Sequence, residues 1–319
     1  MSNQSNTIGR AYEYKCIDTL YNEITKIRNV KIEENSTYFA AQECWNLIDD
    51  DLKQILTLSS LSAVYSLFDL EPTIVEESDE PLTLKMQKDS EGEIGDVRDI
   101  ILIRNDIKWE IGLSIKHNHF AVKHSRLSQN LDFGDRWFGV KCSQEYWNNI
   151  KPIFDYLRDE KSKGKKWSEL PDKEHDIYIP LLNAFMNEIK SSNSNNKDIP
   201  KKMVEYLLGE FDFYKIISID NKKVTQIQGY NLHGTLNQAS KKEYPKTVLP
   251  ISNLPTRIVS FDFKPNSTNT VELYLDEGWQ FSFRIHNAST YVETSLKFDV
   301  QIIGMPTSII SIECKWNEQ

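Results

Sequence analysis

The sequence lacks several features that would place a protein quickly. It has no Cys-x-x-Cys pair: Cys16, Cys44, Cys142 and Cys314 lie far apart, which argues against a zinc finger or a secreted disulfide framework and leaves them as small buried hydrophobes. No apolar run approaches the ~18 residues of a membrane span, and polar residues 1–8 lack the basic-then-apolar layout of a signal peptide. A cytoplasmic chain without a membrane partner is expected. Positive charge is also scarce. A net charge of -9 does not suit a protein that coats nucleic acid, because Lys and Arg do the work of neutralising phosphate.

What is present is enough to fold and to carry local chemistry. With 319 residues, 39% of them hydrophobic, the chain can bury a sizeable core without disulfides. Between Lys116 and Lys141 the balance of charge reverses: Lys116, Lys123, Arg126, Arg136 and Lys141 stand against Asp132 and Asp135, with His117, His119 and His124 interleaved. That window suits a polyanion. The acids gather elsewhere, at 33–34, 49–51, 76–80 and 89–93, in runs typical of solvated faces.

Periodicity divides the chain by type of element. Cys16, Ile17, Leu20, Ile24 and Ile27 recur at helical spacing within 9–28, and Glu13 falls on the same stripe. Helical pattern returns over 38–70, with breaks expected near Asp49 and Ser59, before Pro72. Three strand-like runs follow, at 82–87, 99–104 and 109–116, the last two joined by a short polar turn. Helices are expected over 143–161 and 171–190, a Ser/Asn-rich linker at 191–197, a helix over 201–208, and strands at 213–219, 257–263, 271–275, 280–285 and 295–303. The expected fold is α/β of the α+β kind, a mixed central sheet flanked by helices with a β-rich C-terminal part. Its expected divisions are a core at 1–190, a linker at 191–200 and a β-rich region at 201–319.

Hydrolysis of a phosphodiester needs carboxylates to hold a hard divalent cation and a cation or base to assist water. Asp99 stands where an apolar strand begins, and Lys116 ends the next strand, so the two can meet at one sheet edge. Strand alternation puts Glu110, Ser114 and Lys116 on one face, with Glu110 about 20 Å along the strand from the lysine. Glu13 is costly to bury on an apolar helix face unless it is paired or bound to metal. A first-turn acid and a surface salt bridge are the plain alternatives for Glu13 and for the Asp99–Lys116 pair.

Four blocks carry a resemblance: Gly9-Arg-Ala-Tyr-Glu13-Tyr, Gly95-Asp-Val-Arg-Asp99-Ile, Trp109-Glu-Ile-Gly-Leu-Ser-Ile-Lys116 continuing through Ser128, and Asp132-Phe-Gly-Asp-Arg-Trp137. A fifth, Phe281-Ser-Phe-Arg284-Ile-His286-Asn287 with Ser295-Leu-Lys297-Phe-Asp299-Val, extends it towards the C-terminus. Together they resemble the PD-(D/E)xK nuclease superfamily and, in detail, the HaeIII-type restriction endonucleases. The resemblance implies Asp99 as central Mg²⁺ ligand, Lys116 as catalytic lysine and Glu13 as a further ligand. Where the usual pattern has an acid two residues before the lysine, this chain has Ser114. Glu110 is the favoured replacement, with Asp96 and Asp132 as alternates.

The same resemblance implies a palindromic GGCC target in double-stranded DNA, cut between G and C to leave a 5′-phosphate. It also implies a methyltransferase of matching specificity in the same cell. Two-strand cutting implies either a homodimer or sequential nicks. Lys123, Arg126, Arg136, Arg284 and Lys297 are candidates to reach base edges, and His117, His119 and His124 to contact phosphate. The three histidines lack an acid or cysteine at zinc spacing, and the literal His117-Asn118-His119 string is not the scattered constellation of HNH nucleases. Two rival readings remain: a structure-specific nuclease of repair or recombination, separated by cutting of intact linear duplex, and a DNA-binding module with a decayed site, supported by tight binding without cleavage.

Overall fold

The computed structural model describes residues 2–88, 96–119 and 123–316. Among them are seven α-helices and two sheets, in two compact units built from interleaved segments. The first unit takes Met1–Phe120, Gly209–Ser252 and Thr307–Gln319, and the second takes Ala121–Leu208 and Asn253–Pro306. The mixed α/β class expected from the sequence is what the chain adopts. The expected boundary at 191–200 is not where these units divide: residues through Asn195 continue a helix, and the strands of 201–319 are shared between both units. No helix among the described residues is long and apolar enough to cross a membrane.

In the first unit a seven-stranded sheet runs in the order β1 (Val30–Glu33), β2 (Leu82–Met86), β3 (Ile100–Arg104), β4 (Trp109–His117), β6 (Phe213–Ile219), β7 (Val224–Tyr230) and β12 (Ser311–Lys315). Pairings β1–β2 and β4–β6 are parallel, the rest antiparallel. Three helices pack on this sheet: α1 (Ser2–Thr25), α2 (Ser36–Leu47) and α3 (Asp50–Leu70). In α1, Tyr12, Cys16, Leu20 and Ile24 recur every four residues and are buried, so one stripe meets the sheet. Asn35 and Asp49 cap α2 and α3 by accepting from the Tyr38 and Leu52 amides. The break expected near Ser59 does not occur, because the Ser59 hydroxyl has partners inside the core: Tyr12 Oη at 2.6 Å and Thr225 Oγ1 at 2.7 Å.

Two hairpins of this sheet close alike. The turns Asn105–Ile107 and Asp220–Lys222 each end in a left-handed lysine, Lys108 (φ 53°) and Lys223 (φ 51°). The hairpins β3–β4 and β6–β7 lie side by side through the parallel β4–β6 pairing.

The second unit holds an antiparallel sheet in the order β5 (Lys123–Ser128), β11 (Ser295–Gly304), β10 (Gln280–His286), β9 (Thr270–Leu275) and β8 (Ile258–Phe263). Its helices are α4 (Phe133–Phe138), α5 (Gln144–Ser162), α6 (Ile179–Asn195) and α7 (Ile199–Leu208). Phe133, Trp137, Phe185, Phe261, Phe283 and Phe298 form its centre, with neighbouring ring centroids between 4.9 and 6.4 Å.

Candidate active site

Asp99 is the residue immediately before β3, and its amide donates to the Leu113 carbonyl at 2.7 Å, which fixes it beside β4. Three donors then converge on its Oδ2: the Ile115 amide at 2.6 Å, the Lys116 ammonium at 3.0 Å and the Ser114 hydroxyl at 3.3 Å. Burial pushes the Lys116 ammonium down, but Asp99 and then Glu13 outweigh it and hold the lysine above its ordinary value. Lys116 is therefore a fixed positive charge at neutral pH.

Glu13, half-buried on α1, shares with Asp99 a cleft of about 170 Å³ that Asp96 and Arg98 also line. Two carboxylates on one cleft suit Mg²⁺, which takes one or two protein carboxylates and completes its shell with water and phosphate oxygens. Among the described residues no cluster of three or more His, Cys, Asp or Glu is placed to hold a metal.

The proposed replacements for the acid missing at Ser114 are engaged elsewhere. Arg98, almost fully buried, grips Asp96 through two nitrogens, Nε to Oδ1 at 2.8 Å and Nη2 to Oδ2 at 2.7 Å, and reaches Glu110 with Nη1 at 2.6 Å. Its guanidinium lies 3.9 Å from the Phe211 ring centroid. Gly112 makes room for it, since a Cβ there would fall 1.9 Å from Arg98 Cδ. Glu110 does share a face of β4 with Ser114 and Lys116, as alternation requires, but it does not line the Glu13–Asp99 cleft. Asp132 belongs to the second unit. There it caps α4, accepting from the Asp135 amide at 3.0 Å and the Cys142 amide at 3.1 Å.

The residues expected at DNA divide between the units. In the first, His117 ends β4 with Nε2 at 2.7 Å from Asp220 Oδ2, and Asn118, at φ 50°, also donates to Asp220, at 2.9 Å. His119 is exposed. In the second unit, strand register sets Lys297 between Arg126 and His286, and sets Asp299 between His124 and Arg284. Arg126, Lys297 and Arg284 thus share one face of adjacent strands, and Arg284 donates to Asp299 at 3.0 Å. Arg136 is exposed on α4. The side chains of Lys123 and His124 lie outside the described residues.

One residue of this face escaped the sequence reading. Lys215 is in register with Ser114 across the β4–β6 pairing, so its side chain is on the same face as Ser114 and Lys116, and it is only 3% exposed. Burial, reinforced by Lys116 and opposed by Asp99, pushes its ammonium down to about 7. A lysine inside the apolar run Phe213-Tyr-Lys-Ile-Ile-Ser-Ile219 was the available signal, because such burial is costly without a purpose.

Comparison with known proteins identifies the family. The family model described as HaeIII restriction endonuclease matches residues 9–306. The type II restriction enzyme HaeIII of Haemophilus aegyptius is 54% identical over 319 residues, covering 100% of both chains. No solved structure matches.

Proposed function

The chain belongs to the HaeIII restriction endonuclease family, and it is a type II restriction endonuclease acting on DNA; from that premise we propose that it cuts both strands at GGCC, between G and C, with Mg²⁺ held by Asp99 and Glu13. The observation that carries this reading is the Asp99–Lys116 contact with Glu13 on the same cleft. Bound Mg²⁺ would polarise the scissile phosphate and acidify its own water. Asp99 offers Oδ1 while its Oδ2 is tied down by three donors, so the carboxylate is oriented before substrate arrives. Lys116, kept protonated by Asp99 and Glu13, offsets charge growing on the phosphoryl oxygens and orients the attacking water. Cleavage leaves a 5′-phosphate.

Base reading falls to the cationic face of the second sheet. Arg284, steadied by Asp299, keeps its remaining donors free for guanine, and Arg126, Lys297 and exposed Arg136 supply further contacts. His117 at the end of β4, His119 just after it, and Lys123 and His124 at the start of β5 are suited to phosphate. The enzyme works in the cytoplasm, as a homodimer or by successive nicks, beside a methyltransferase of the same specificity.

The test is purified protein with unmethylated plasmid and Mg²⁺, run beside Asp99→Ala and Lys116→Ala, with cut ends mapped by sequencing. Discrete ends at GGCC, lost in both variants, are expected. Intact plasmid with a folded, DNA-binding wild type would overturn the reading.

A further inference from the structure

The Asp99 face carries more positive charge than cleavage by Lys116 requires. Lys116 is on β4 and Lys215 on β6, and between Lys215 and Asp99 stands Ser114, whose hydroxyl meets Asp99 and whose backbone is in register with Lys215. Where the usual pattern would add a carboxylate, this chain has a small neutral side chain with a lysine next to it. Glu13 and Asp99 are then the acids of the cleft not already gripped by Arg98, and Asp99 has Lys116 at 3.0 Å and, one strand beyond Ser114, Lys215. A divalent ion entering such a site meets an almost balanced charge rather than an acidic basin, and a nearby cation weakens its binding in a low-dielectric setting.

We propose that Lys215 is a positioning residue that sets the cation affinity of the cleavage site: placed beside Ser114, it opposes a divalent ion at Glu13 and Asp99, so that firm binding waits for the phosphate oxygens of DNA. The inference rests on the assignment of Glu13 and Asp99 as ligands. Lys215 acts through the charge of that site and touches neither substrate nor ion. It also accounts for the serine, since a carboxylate at 114 would pair with Lys215 and cancel its effect.

The experiment is calorimetric titration of Mn²⁺ alone into the full-length protein without DNA, so that no turnover is needed, and it is run at pH 6, below the value of about 7 to which burial pushes the Lys215 ammonium, so that Lys215 carries its charge. Wild type is compared with Lys215→Met, Lys215→Gln, Asp99→Asn and Glu13→Gln, and folding is checked by circular dichroism. Lys215→Met, which keeps the length and removes the charge, is expected to tighten Mn²⁺ binding about tenfold. A merely structural lysine would leave it unchanged or weaken it, and either result overturns the proposal. Should Lys215→Met fail to fold, Lys215→Gln, which removes the charge and keeps a polar end, carries the test, with tightening expected and unchanged affinity overturning it. Asp99→Asn and Glu13→Gln examine the underlying assignment: if both bind Mn²⁺ as wild type does, the ligand reading fails, and Lys215's role falls with it. Loss of binding in these two with no gain in Lys215→Met removes the Lys215 proposal alone.

Discussion

The two units differ in how much charge they bury. In the first, Arg28, Glu71, Asp96, Arg98, Arg104, Asp212 and Lys215 are all under a tenth exposed, against Glu160, Glu188 and Asp299 in the second. Much of the first unit's charge is answered, although Glu71 Oε2 is buried with no hydrogen-bond partner among the described residues. Arg104 donates to Glu76 and Asp106, Asp212 accepts from the Leu232, His233 and Thr235 amides, and Arg98 holds its two acids. The second unit packs rings, with Phe185 within 5.7 Å of Phe133, Trp137, Phe261, Phe283 and Phe298. Buried charge fixes directions at a cost in desolvation, whereas stacked aromatics supply hydrophobic stability with looser directional demands. A cleavage centre belongs with the first kind of interior, and a rigid platform for surface cations can be built on the second.

Substitutions can break this contrast, beginning with the largest effects. Lys116→Ala should lower plasmid cleavage on the order of 10³-fold while the melting temperature stays within a few degrees, since the Asp99–Lys116 pair is about a quarter exposed. Phe185→Ala should do the reverse, costing about 3–5 kcal/mol in a denaturant titration while folded molecules still cleave. If that variant loses cleavage at temperatures where it is fully folded, the division of labour is wrong. Gly112→Ala tests the buried charge directly: Arg98 must move, so about 1–3 kcal/mol of stability and a measurable part of the cleavage rate should be lost together. Asp132→Ala should remove a helix cap worth about 1 kcal/mol and leave the dependence of cleavage on divalent cation concentration alone; a raised dependence would return Asp132 to the list of candidate ligands.

A pH-dependent effect concerns Glu71. Burial pushes its carboxyl up to about 7, against hydrogen bonds from Tyr214 and the Asn237 amide. A carboxyl with a raised native pKa binds more protons folded than unfolded, so its stabilising contribution is full at acid pH and is lost as pH rises from the ordinary carboxyl range through about 7. Glu71→Gln should flatten that part of the stability profile, read as melting temperature against pH.

Local pattern was enough to bring Asp99 and Lys116 together, because a hairpin and strand alternation are short-range facts. Glu110 was placed on the correct face for the same reason, but its engagement with Arg98 depends on a glycine and a phenylalanine from separate strands and loops. Lys215 stands out in the sequence only as a charge inside an apolar run; its place beside Ser114 was invisible to such reasoning, since β6 pairs with β4 only after a long excursion through the second unit. The Ser/Asn run read as a linker is helical through Asn195, with Ser192 buried and Ser194 and Asn195 bonding back to carbonyls four residues earlier. Tertiary packing there overrides composition. Strands β1, β5, β7 and β12 were missed because their mixed polar and apolar residues give weak alternation. The cap at Asp49 was legible; the hydrophilic cluster that keeps α3 continuous at Ser59 was not.

The interleaving of the two units has a consequence for how the protein comes into being on the ribosome. Glu13, Asp99 and Lys116 have all been made by the time His117 is added, yet β4 gains its β6 neighbour only when synthesis reaches Phe213, and the edge strand β12 arrives among the last residues. Closing so long a loop is slow in entropic terms and the sheet cannot be finished early. A nascent chain therefore carries Glu13, Asp99 and Lys116 before it has the strands that complete the sheet around them, so their arrangement forms only after β6 has been made.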